Sequence, residues 1–93
     1  MNILIIFEMR FKQDTNILTG ILDYYGFKKI TETSYSTDLS NIEFKELKRK
    51  IKEKNIKKGF IMIIPLCKGC YNKIETIGKE ILNENKEYMI LWN

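Results

Sequence analysis

Histidine is absent from this chain, proline and tryptophan occur once each, and 93 residues contain only two cysteines and five glycines. Zinc needs four ligands, so without histidine the pair Cys67 and Cys70 is half a site, and a second pair would have to come from another subunit. Two cysteines with no export signal also argue against a disulfide scaffold. There is no repeat, low-complexity tract or Gly/Ser linker, so residues 1–93 read as one domain. The N-terminal apolar run ends at Glu8 with no charged region before it. It is too short for a signal peptide or a transmembrane helix. A cytoplasmic protein with no membrane partner is the expectation.

What the chain has in excess is lysine. Lys and Arg number 16 against 12 Asp and Glu, a formal net charge of +4, which favours polyanions weakly. The charge is concentrated between Lys45 and Lys58, where eight basic residues meet only Glu46 and Glu53, a local net charge of +6. A chain of this length buries only about 60 to 65% of its unfolded surface. A partner is therefore a natural extension of its core.

Residues 2 to 7 form an Ile-rich run that suits a strand buried on both faces. Asp14 can cap a helix from Thr15 to Tyr25, because Ile17, Leu18, Ile21, Leu22 and Tyr25 share one face. Gly26 is its C-terminal stop. Residues 27 to 37, rich in Thr and aromatics, read as one or two strands. Ser40 and Glu43 have capping-box spacing and open a second helix, with Phe44, Leu47 and Ile51 inward. Its outer face carries Lys45, Lys48, Arg49 and Lys52. Gly59 breaks that pattern, Phe60 to Leu66 is a further strand, a helix begins near Gly69, and Glu87 to Trp92 ends the chain as a last strand.

The order β-α-β-β-α-β matches the α+β ferredoxin-like plan, two helices on one face of an antiparallel sheet, here followed by an extra helix and strand. About 27 residues remain after the fourth strand. That strand belongs at a sheet edge, yet Phe60 to Ile64 is too apolar to be left there unpaired. Pairing of the C-terminal strand with a sheet edge, its own or a second subunit's, would answer both problems, and a homodimer is the economical expectation.

The fourth strand runs into Leu66-Cys67-Lys68-Gly69-Cys70 and then Ile74-Glu75-Thr76-Ile77-Gly78. Together with Glu8 at the end of the first strand, Tyr25-Gly26 after the first helix and Thr33-Ser34-Tyr35 in the middle, these segments resemble the CRISPR-associated protein 2 family. That family is the small partner of the spacer integrase. The 17-residue step from Glu8 to Tyr25 fits its spacing without a gap. The resemblance implies a ferredoxin-like homodimer that acts in CRISPR adaptation, with the integrase (CRISPR-associated protein 1) and double-stranded DNA, or RNA, as partners.

It also implies a magnesium site where the family usually has Asp and this chain has Glu8. Glu keeps the hard oxygen ligand, but its extra methylene moves the carboxylate by about 1.5 Å, and octahedral geometry tolerates little of that. Basic residues common early in the family's first helix are replaced by Asp14, Thr15 and Asn16. One carboxylate per chain is a poor magnesium site. A two-fold axis near Glu8 would bring two together, each raising the other's pKa unless a cation sits between them. The alternative is a solvated carboxylate at a strand end.

Cys-x-x-Cys between a strand and a helix start also has the local order of a redox motif. Only about 23 residues follow Cys70, too few for the rest of a thioredoxin-like fold. The favoured reading is two small buried hydrophobes at a strand end. The basic stretch is either a solvated helix face or a track for backbone phosphates. Two functions follow for the chain. One is a dimeric adaptor that bridges integrase copies and holds the protospacer duplex, with phosphate contacts from Lys45, Lys48, Arg49 and Lys52. The other is a magnesium-dependent endoribonuclease or DNase with paired Glu8 as its catalytic and metal-binding residue. A small-ligand regulatory module would need a glycine-rich or convergent pocket motif, and the sequence has none.

Overall fold

The structure, a computed structural model, describes residues 1–78 apart from Lys57 and Thr76. Its elements in chain order are β1 (Asn2–Met9), α1 (Lys12–Tyr24), β2 (Lys28–Thr31), β3 (Ser34–Asp38), α2 (Asn41–Glu53), β4 (Gly59–Leu66) and α3 (Lys68–Asn72). The strands form one antiparallel sheet in the order β2-β3-β1-β4, compatible with the ferredoxin-like plan. The strand expected at Glu87 to Trp92 lies outside the described residues. Among the described residues, no helix is long and apolar enough to cross a membrane.

The sheet has two unlike faces because side chains alternate along each strand. From β1, Ile3, Ile5 and Phe7 enter a core that includes Leu18 and Leu22 of α1, Leu47 and Ile51 of α2, and Tyr35 of β3. Both long helices therefore cover the same face. Ile3, Ile5, Leu18, Leu22 and Leu47 are fully buried, and each contributes about 2 kcal/mol of apolar transfer free energy. Leu4 and Ile6 point the other way and are only half-buried. The expectation of a first strand buried on both faces is corrected: one face of β1 is covered by helices, and the other is not covered by any described residue.

Local signals explain most boundaries. The Ser40 hydroxyl accepts the Glu43 N–H at 3.2 Å while the Glu43 carboxylate accepts the Ser40 N–H at 3.0 Å, so α2 starts with the expected capping box. α1 starts one turn earlier than its expected cap. Phe11 is the N-cap with no side-chain hydrogen bond, and Asp14 lies within the first turn, where its charge opposes the helix dipole's positive end. Gly26 follows the helix with φ +77°, the left-handed conformation that a glycine adopts without a Cβ clash. Residues 27 to 37 resolve into β2 and β3, whose connection is tied by the Thr31 and Ser34 hydroxyls at 2.6 Å.

The C-cap of α1 is also joined to α2 by a polar contact. The Tyr25 hydroxyl donates to Glu46 at 2.9 Å, and partial burial together with that carboxylate pushes the phenol pKa up to about 12. On the other side of the sheet, β4 pairs with β1 along its whole length, from Gly59 opposite Met9 to Leu66 opposite Asn2. Among the described residues it is one of the sheet's two edge strands, with β2 at the other edge, and it contains the chain's one proline, Pro65.

Candidate functional site

Glu8 is the next-to-last residue of β1, exposed, and directly opposite Phe60 of β4. By alternation it shares a face with Leu4 and Ile6, away from the helices. The residues opposite these three are Ile64, Met62 and Phe60, so the open sheet face is an apolar strip with a carboxylate at one end. Phe60 and Met62 are each 49% exposed. Gly59, with φ +105°, lets β4 enter against the backbone of Glu8 and Met9. Among the described residues no group of three or more Cys, Asp or Glu could hold a metal ion. One chain thus brings a single carboxylate to this place, which does not fit magnesium's demand for several oxygens.

The four basic residues expected on α2 do come together. Lys45, Lys48, Arg49 and Lys52 line one open depression of about 440 Å³, on the side of the helix opposite Leu47 and Ile51. Their side chains are not equivalent. The Lys48 ammonium sits 4.3 Å from the centre of the Phe44 ring, an exposed cation–π contact of about 0.5–1 kcal/mol that keeps the charge on the surface. Arg49 pairs with Glu53 at 2.8 Å, one helical turn on, and an exposed pair of this kind is worth about 0.3–0.5 kcal/mol. Lys50 points elsewhere, toward Tyr24 at the end of α1 and Tyr25, its C-cap, and stays out of the basic depression.

The cysteines correct a second expectation. Cys67 and Cys70 are exposed free thiols, not small hydrophobes in the core. They lie past the end of β4, where Cys67 caps α3. Sequence reasoning also missed the places of three residues. Glu53 belongs to the basic depression, and its i, i+4 spacing from Arg49 was the available signal. Met62 and Phe60 belong to the open face, and their alternation with Ile61 and Ile63, which pack on the core, would have separated the two sides.

The fold and these surfaces define a small α+β protein with a basic helix outside one face of its sheet and an apolar, acid-tipped strip on the other. No protein-family model matches the chain. It is similar to CRISPR-associated endoribonuclease Cas2 1 of Methanospirillum hungatei, with 18% identity over 91 residues, 97% of this chain and 96% of that protein. The likeness supports the resemblance that the motifs carry, and it runs through nearly the whole of both chains.

Proposed function

We propose that this protein is a CRISPR-associated adaptor: a homodimer that holds duplex DNA by its phosphates during spacer acquisition and bridges subunits of the integrase. The observation that carries the reading is the separation of the two surfaces. Apolar residues on the open sheet face suit pairing with a second copy, which would leave both α2 helices outward with Lys45, Lys48, Arg49 and Lys52 toward solvent. Basic side chains without base-reading partners hold a duplex irrespective of sequence. Such binding suits a protein that must accept any invading DNA.

Met62→Glu tests the first half of this reading. The position is half exposed in one chain, so the fold should lose little, whereas a charge buried between two apolar faces costs several kcal/mol. Sedimentation at micromolar concentration should show a dimer for the parent protein and a monomer for the variant. A parent protein that sediments as a monomer would remove the basis of the adaptor.

A second reading is favoured by the relative's name and by the direction of Glu8. Pairing through the open face about a two-fold axis that passes near Glu8 would bring two carboxylates together, a paired site for a metal ion that one chain does not supply. Here Glu8→Gln, which keeps shape and removes charge, should abolish magnesium-dependent cleavage of RNA or DNA. Cleavage that survives the change would exclude Glu8 as its source, and a parent protein inert toward both nucleic acids leaves the adaptor as the whole function.

A further inference from the structure

The two thiols are placed for chemistry that the proposed function does not use. β4 ends at Leu66, Cys67 takes an extended conformation (φ −69°, ψ 161°) as the N-cap of α3, and Cys70 is the third helical residue. N-cap and third-position side chains face each other, the same relation that lets Ser40 and Glu43 exchange hydrogen bonds in α2. At α3 the Cys67 sulfur accepts the Cys70 backbone N–H at 3.2 Å. Both sulfurs are open to solvent. Gly69 between them has no side chain to shield them, and beside Cys67 an open cleft of about 790 Å³, lined also by Met1, Asp38, Lys68 and Tyr71, offers room for a small reagent.

The pair is also asymmetric. Cys67 is held below the usual thiol range by the Cys70 backbone N–H, and the Cys70 thiol, which donates to it, adds to the effect. Cys70 is pushed up by that same hydrogen bond and by the charge on Cys67. One sulfur is therefore prepared to attack and its neighbour to keep a proton until needed.

We propose that Cys67 and Cys70 form an accessible dithiol that low-molecular-weight disulfides oxidise reversibly to an internal Cys67–Cys70 disulfide, with Cys67 as the attacking sulfur. In the first step the Cys67 thiolate attacks one sulfur of the small disulfide, the S–S bond breaks, and one small thiolate leaves with its electron pair. Cys70 then loses its proton to solvent and attacks the Cys67 sulfur of the mixed disulfide, releasing the second small thiolate. The protein dithiol is oxidised by two electrons and one small disulfide is reduced to two thiols. A dithiol reductant reverses the sequence.

The full chain, incubated folded with oxidised glutathione, should lose both free thiols and the mass of two hydrogen atoms while remaining free of intermolecular disulfides, and dithiothreitol should restore both. Cys70→Ser should stop at a glutathione adduct on Cys67. Cys67→Ser, in which serine preserves the helix cap, should react more slowly than Cys70→Ser, because only the sulfur at position 67 accepts the backbone N–H of residue 70. Retention of both thiols, disulfide-linked dimers in place of the internal bond, or equal rates for the two variants would each overturn the proposal.

Discussion

Replacing Lys48, Arg49 and Lys52 together by glutamate is expected to reduce affinity for duplex DNA by at least about 100-fold at low salt, and by the same factor on unrelated sequences. In a dimer, three side chains per α2 make about six phosphate contacts, so log affinity should fall with log salt at a slope of about −5. Raising salt from about 50 to 200 mM would then weaken the parent protein about 1,000-fold, while the variant's salt dependence flattens. The fold should survive, because the interactions removed within the chain are the exposed Arg49–Glu53 pair and the Lys48–Phe44 contact. Titrations of labelled duplex at several salt concentrations give both numbers. An unchanged slope would mean that these side chains do not meet the phosphates and that α2 is a solvated face.

Gly59→Ala is expected to destabilise the protein by about 3 kcal/mol, which lowers the melting temperature by about 10 °C or more for a domain of this size. The residue has φ +105°, where an L side chain is strained in any surroundings. A Cβ there would also overlap the Glu8 carbonyl oxygen and come within 3.0 Å of Met9 Cα. Neither group is a flexible side-chain tip that can step aside, since both belong to β1 where it pairs with β4. The same substitution should therefore disturb the position of Glu8 before it disturbs the basic face of α2. Thermal unfolding followed by circular dichroism measures the first effect. A melting temperature lowered by less than about 3 °C would contradict the close approach of β4 to β1 at this end.

Signals that act within a few residues were legible. The capping box at Ser40, the glycine stop at Gly26 and the spacing that gathers Lys45, Lys48, Arg49 and Lys52 depend on local hydrogen bonds and helical period, and the structure places them as their spacing implies. α1 shows where such reasoning slips. An acidic residue stabilises either the cap or the first turn, so Asp14 marked the helix start but missed it by a turn. Apolar runs hide more. The stretch from Asn2 to Phe7 has the composition of a strand buried twice over, but composition does not separate a face covered by its own helices from one left for another surface. Cysteine was misplaced for a related reason. Its small apolar side chain suits a core, and only the backbone turn after Leu66 carries Cys67 and Cys70 out of it.

Pro65 carries a consequence for behaviour at high concentration. Among the described residues β4 is an edge strand, and one so apolar invites other chains to extend the sheet, the first step toward fibrous aggregates. Proline occurs in such strands where its missing N–H faces away from the neighbouring strand. The row of donors along the outer margin of β4 is therefore broken one residue before the strand ends. A chain added there has only the stretch ahead of Pro65 over which to pair, enough for a specific, short partner and too little to seed an endless one.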